Sequence, residues 1–106
     1  MSFHLTGQQI RVEDNHILVA SLQNEDGEWI DSSIDLDQFV GNDNGNFQWD
    51  GQGFSQTASN VHFAIEGDAD VPVLRGDLKD LEGNWNSRDL NLSERVENVN
   101  GQFQFQ

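Results

Sequence analysis

The chain predicts a single all-β domain made of two tandem repeats. Three observations carry that reading: turn-forming clusters interrupt short apolar runs throughout, no run has a helical period, and the second half rewrites the first. The apolar runs are HILVASL (16–22), WIDSSIDL (29–36), FQW (47–49), VHFAI (61–65), VLRGDL (73–78), RDLNL (88–92) and FQF (103–105). Gly, Asn and Asp clusters alternate with these runs, the punctuation of strands and turns. EDGEW and LEGNW place Gly27 and Gly83 where tight hairpins need positive φ. LDQFV (36–40) and LSERV (92–96) predict one helical turn each, capped by Asp37 and Ser93.

The repeat runs at an offset of 56: Leu18 matches Leu74, Leu22 Leu78, Trp29 Trp85, Leu36 Leu92, Val40 Val96, Asn42 Asn98, Asn44 Asn100, Gly45 Gly101 and Phe47 Phe103. Upstream the offset is 51, pairing Phe3 with Phe54 and Thr6 with Thr57, so the second copy carries about five extra residues, assigned to EGDADVP (66–72). The copies occupy about 1–50 and 54–106, and neither is long enough to bury its own apolar face, so both share one core. DGQG (50–53) joins them, and Gly51 is expected to loosen the join. A monomer is expected, with a domain-swapped dimer as its hazard.

Composition limits the partners. At 106 residues there is room for one compact domain, and 35% hydrophobic residues with three Trp and seven Phe are too many anchors for a disordered chain. A net charge of −14 repels phosphate backbones and anionic lipid, which excludes nucleic acid and membrane surfaces as partners. No cysteine is present, so disulfides and thiolate metal sites are ruled out. MSFHLTGQQIRVEDN has no basic segment followed by an apolar one, and a cytoplasmic location is the expectation. His4, His16 and His62 lack ligand spacing, and NDNG lacks the flanking ligands of a calcium loop, so neither metal nor cofactor is expected. Nothing singles out a carboxylate pair for glycoside hydrolysis, so no enzyme is expected. Asn91-Leu92-Ser93 fits a glycosylation acceptor but reads as part of a strand, and Trp29 and Trp85 are assigned to the core.

GNDNGNFQW (41–49) and ENVNGQFQF (97–105) say most about function. Asn44-Gly45 and Asn100-Gly101 are dipeptides of type I′ turns, followed by alternating aromatics that share one strand face. The amides exceed what a turn needs: Asn42, Asp43, Asn44 and Asn46 crowd one tip, and Asn98, Asn100 and Gln102 the other. Such side chains offer the adjacent donors and acceptors that vicinal sugar hydroxyls require.

SSIDLDQFVGNDNGNFQWDGQGFSQTASN (32–60) and LNLSERVENVNGQFQFQ (90–106) resemble the cyanovirin-N homology family of lectins, in the cysteine-free form found in fungi. The resemblance implies an elongated, pseudo-two-fold all-β fold in which triple-stranded sheets and hairpins from both repeats interlace, with short helical turns. It implies binding of high-mannose glycans with terminal α1,2-linked mannose, without metal or chemistry. Carried over, one sugar site combines Ser2, Thr6, Gln23, Glu25, Asn98, Val99 and Asn100. The other combines Gly41, Asn42, Asp43, Asn44, Gln52, Gly53, Gln56, Thr57, Lys79, Leu81 and Gly83. Gly41 and Leu81 replace charged residues of the family's best-studied member, which weakens the second site. That member's stapling cysteines correspond to Gly7, Leu22, Ala58 and Leu78, so packing replaces a covalent constraint of about 2–4 kcal/mol. The alternative is a protein-interaction or structural β module that keeps the fold without the sugar.

Overall fold

The computed structural model describes residues 3–66 and 71–106. Ser2 and residues 67–70 of the EGDADVP stretch lie outside them. The first repeat runs through a 3-10 turn (Phe3–Thr6), β1 (Gly7–Glu13), β2 (Ile17–Gln23), β3 (Trp29–Asp35), a 3-10 turn (Leu36–Gln38), β4 (Val40–Asp43) and β5 (Asn46–Trp49). The second repeats that order: a 3-10 turn (Phe54–Thr57), β6 (Ala58–Glu66), β7 (Val71–Lys79), β8 (Trp85–Asn91), a 3-10 turn (Leu92–Glu94), β9 (Val96–Val99) and β10 (Gln102–Phe105). Among the described residues no helix is long and apolar enough to cross a membrane.

Strands β1-β2-β3 and β6-β7-β8 form two antiparallel sheets, while β4-β5 and β9-β10 form two hairpins. The hairpins are exchanged: β10 packs on β3, and β5 packs on β8. Each end of the 50 × 28 × 21 Å molecule is thus a sheet from one repeat closed by a hairpin from the other. Side chains fasten the exchange in matching places, since Ser32 donates its hydroxyl to the Gly101 carbonyl and Arg88 Nε donates to that of Gly45.

The core is where the repeat pattern puts it. Leu18 and Leu74, Leu22 and Leu78, Leu36 and Leu92, and Val40 and Val96 are all fully buried, together with Phe3 and Phe54. On β2 the burial alternates, Leu18, Ala20 and Leu22 facing inward, as a half-buried strand requires. That alternation corrects the assignment of two tryptophans. Trp29 pairs with Gln23 and Trp85 with Lys79, so both share the outward face of their partners and remain 47% and 54% exposed. The Lys79 ammonium lies 5.9 Å from the centre of the Trp85 ring.

The helical turns are shorter than expected and capped elsewhere. Asp35 and Asn91, not Asp37 and Ser93, accept the backbone N–H two residues on, in the Asx arrangement, and the strand resumes at Val40 and Val96. β1, β4, β9 and the turns Phe3–Thr6 and Phe54–Thr57 were not read from the sequence. β1 is disguised by a bulge between Gln8 and Arg11, where Gln9 takes a φ of 55° without a glycine to signal it. Asn60 does the same in β6.

The join between repeats is not loose. Asp50 N–H donates to Phe39 O at 2.9 Å and Gly53 N–H to Asp37 O at 2.8 Å. Gly51 is there for close approach: a Cβ on it would lie 2.8 Å from the Gly41 Cα and 2.9 Å from the Gly41 nitrogen. Both neighbours are backbone, so a side chain can enter only by moving a strand. Gly51→Ala is therefore expected to lower the unfolding free energy by about 1–3 kcal/mol and to raise the share of swapped dimer, read by denaturant titration and size-exclusion chromatography. An unchanged midpoint with no dimer contradicts the contact.

Candidate functional site

Each end of the molecule brings the amide-rich loop of one repeat against the sheet hairpin of the other. The local cause is the Asn-Gly pair, whose residues take φ values of 49° and 88° at Asn44-Gly45 and 52° and 87° at Asn100-Gly101, a type I′ turn. At the first end, Asn98 Nδ2 donates to Thr6 Oγ1 at 2.8 Å and to Gln23 O at 2.9 Å, while its Oδ1 accepts from Gly101 N–H at 2.9 Å. Asn100 Oδ1 accepts from Glu25 N–H at 3.0 Å. At the second end, Asn42 Nδ2 donates to Thr57 Oγ1 at 2.8 Å and Lys79 O at 2.9 Å, and its Oδ1 accepts from Gly45 N–H at 2.8 Å. Asn44 Oδ1 accepts from Leu81 N–H at 2.9 Å. The two clusters are copies of each other, bond for bond.

These bonds revise the part given to the tip amides. Both donors of Asn42 and of Asn98 are engaged within the protein, so they join loop, turn and hairpin rather than wait for hydroxyls. What stays open at the first end is the amide nitrogen of Asn100, the hydroxyl proton of Thr6, the oxygen of the Gln23 amide, the carboxylate of Glu25 and the Oε1 of Glu97, whose Oε2 accepts from Gln106 Nε2 at 2.6 Å. Thr6, Gln23, Glu25, Asn98, Val99 and Asn100 line one cavity of about 460 Å³, to which the structure adds Asn24 and Glu97.

Asn24 shapes this cavity from below: its Oδ1 accepts from Asp26 N–H at 3.0 Å and Glu28 N–H at 2.9 Å, fixing the hairpin tip. Asp80 does the same for the other hairpin with Glu82 and Asn84. The Asn84 N–H and then the Asn86 amide hold its carboxyl below the usual aspartate value. The repeat alignment contained this signal, because Asn24 and Asp80 stand 56 apart, yet only the tips beside them were singled out.

The second set of predicted residues divides. Asn42, Asn44, Thr57, Lys79 and Leu81 meet at the loop cluster, with Asp43 exposed beside them and Gly83 in the hairpin turn at a φ of 86°. Gly41 is buried against the join, which gives it a structural reason to lack a side chain. Gln52, Gly53 and Gln56 line a separate cavity of about 400 Å³ with Asp37 and Gln38, two residues the sequence did not offer.

Sequence spacing also concealed a cluster of His16, Asp35 and Asp37, whose donor atoms lie within 4.8 Å of one another. His16 Nδ1 is 2.7 Å from Asp35 Oδ1 and 3.6 Å from Asp37 Oδ2. The hydrogen bond to Asp35, helped by the charges of Asp35, Asp37 and Asp14, holds the imidazole pKa above its ordinary value despite some burial. The carboxylates have protein partners too: Asp35 accepts the Asp37 N–H, and Asp37 accepts the N–H and the hydroxyl of Ser55. These bonds account for the cluster as a brace between the β1–β2 turn and the two central turns.

Duplicated sheets, exchanged hairpins and paired Asn-Gly clusters agree with the comparison to known families, where the CVNH domain matches residues 3–104. The chain belongs to the CVNH family. This is a family of lectins, not of enzymes. The chain is 53% identical over 108 residues to the cyanovirin-N homolog of Neurospora crassa, covering 98% of this chain and 97% of that protein. The NMR structure of the Gibberella zeae CVNH protein superposes with a TM-score of 0.87 at 44% identity, over 97% of this chain and 95% of that one. Microvirin, solved as a complex with mannobiose, superposes with a TM-score of 0.85 at 25% identity over 100% of both chains.

Proposed function

We propose that this CVNH protein is a monomeric lectin for high-mannose glycans, recognising terminal α1,2-linked mannose by hydrogen bonds alone. The observation that carries the reading is the first-end cavity, about 460 Å³, in which the described residues supply one hydroxyl, four amides and two carboxylates, with Val99 as their one apolar side chain. Among the described residues no cationic side chain lines it, so it suits a neutral ligand rich in hydroxyls better than an anion. The mannobiose bound in the microvirin complex supports the sugar class. The bond-for-bond copy at the other end supports two sites per chain, and two sites on one glycan array gain avidity. Titration with α1,2-mannobiose, followed by amide NMR, is expected to move Thr6, Gln23 and Asn98 at one end and Asn42 to Asn44 and Thr57 at the other. A spectrum unmoved at both ends leaves a β module that kept the fold without the sugar.

A further inference from the structure

We propose that His16, Asp35 and Asp37 form a pH-sensitive clamp on the join between the repeats, closed while the imidazole is protonated and slack once it is neutral. The three side chains come from three places: His16 from the turn between β1 and β2, Asp35 from the end of β3, and Asp37 from the 3-10 turn Leu36–Gln38. His16 Nδ1 lies 2.7 Å from Asp35 Oδ1 and 3.6 Å from Asp37 Oδ2, and all three groups have donor atoms within 4.8 Å of one another. A protonated imidazole here neutralises part of the charge of both carboxylates. The neutral ring can keep one hydrogen bond to Asp35, but it leaves two like charges side by side.

Asp37 carries the effect across to the second repeat. Its side chain accepts the Ser55 N–H at 3.0 Å and the Ser55 hydroxyl, and its carbonyl accepts the Gly53 N–H at 2.8 Å, where the joining segment ends. Asp35 holds Asp37 from the other side by accepting its N–H at 3.0 Å. Ser55 shares the turn Phe54–Thr57 with Thr57, whose hydroxyl oxygen accepts from Asn42, so the clamp reaches the second-end cluster through one short turn. The trio is not repeated: at the offset of 56, His16, Asp35 and Asp37 become Pro72, Asn91 and Ser93.

Among the described residues, the charges that act on the imidazole are carboxylates: Asp35, Asp37 and, from its own turn, Asp14. Ser55 is neutral, and the neighbouring Glu13 is engaged by Arg11 Nε at 2.7 Å. The hydrogen bond to Asp35, against the opposing effect of burial and with the help of the three charges, raises the imidazole pKa above the ordinary histidine value of about 6.5. The folded chain thus binds this proton more tightly than the unfolded chain does. The clamp's contribution to stability is complete below about pH 6.5 and is lost as pH rises through the higher folded value.

No sugar is needed for the test, so its failure leaves the lectin reading untouched. Amide hydrogen exchange of the native chain is compared at about pH 5.5 and about pH 8.5, while NMR follows the titration of the His16 ring itself. The protection factors of the Gly53 and Ser55 amides are expected to fall about tenfold between the two, the difference between a charge-assisted and a neutral hydrogen bond, with that of Gly101 at the first end constant. His16→Gln keeps an amide for Asp35 and removes the titration, so its Gly53 and Ser55 amides should show one protection factor at both pH values. Asp37→Asn, whose amide oxygen can still accept from Ser55, should shrink the fall by removing one of the two charges. An equal fall in His16→Gln, an undiminished fall in Asp37→Asn, or no fall in the native chain while His16 titrates overturns the clamp. So does a His16 ring that titrates at or below about 6.5.

Discussion

Leu22→Ala lowers the unfolding free energy by about 4–5 kcal/mol and Leu78→Ala by about 2–4 kcal/mol, measured by denaturant titration. Both leucines are fully buried in the shared core, and each faces the start of its neighbouring strand: Leu22 pairs with Gly7 and Leu78 with Ala58. The chain has no cysteine to staple these pairs, so beyond the backbone ladder it is apolar packing that holds β1 to β2 and β6 to β7 there. The two truncations should differ because their partners do. A Cβ on Gly7 would stand 3.0 Å from Leu22 Cδ2 and 2.9 Å from Phe3 O, so Leu22 fills space that its partner cannot. Removing it leaves a hollow bounded by glycine, whereas the Ala58 methyl remains to close part of the hollow left by Leu78. Residual cavity volume is what separates mild from severe leucine truncations. Losses below 1 kcal/mol at both positions contradict the packing account, and a larger loss at Leu78 contradicts the role given to Gly7.

The framework was legible because it is written twice with a regular period. Leu18, Leu36 and Val40 declare themselves through their copies at Leu74, Leu92 and Val96, and all six are fully buried. Asn44-Gly45 and Asn100-Gly101 specify their turns by local chemistry, which needs no tertiary context. What stayed hidden depends on register or on through-space neighbours. Trp29 looks like a core residue until its pairing with Gln23 fixes the face it shares. Gly51 looks like a flexible joint until the Gly41 backbone is found against it. His16 and Asp37 are 21 positions apart, and no spacing rule unites them. The candidate sites were legible as a set of loops, because loops from both repeats recur at matching offsets. Which amide faces a ligand and which is consumed in the fold was not, since Asn98 finds Thr6 across 92 positions of chain.

That distinction can be measured at Asn98. Asn98→Ala is expected to lower the unfolding free energy by about 3 kcal/mol, at about 1 kcal/mol for each of its three hydrogen bonds. The carbonyl of Gln23 and the N–H of Gly101 lose their partner in a half-buried place, and the amino-terminal turn loses its tie to β9. A side chain that served only to touch sugar would behave differently: its removal would abolish binding at the first end and leave stability unchanged. Hydrogen exchange separates the cases by location, because a lost tie speeds exchange around Thr6, Gln23 and Gly101 while the Asn42 cluster keeps its protection. Asn98→Asp sharpens the comparison. Its carboxylate can still accept from Gly101 N–H and, once the hydroxyl turns, from Thr6, but offers no donor to the Gln23 carbonyl, so about two thirds of the lost stability should return at most. Asn42→Ala should repeat the effect at the other end, and since the two asparagines share no partner, the double variant should lose the sum of the two. The bond-for-bond symmetry thus predicts equal losses at both ends, even though Glu25 and Val99 at one end face Leu81 and Asp43 at the other, where ligand preference is free to diverge.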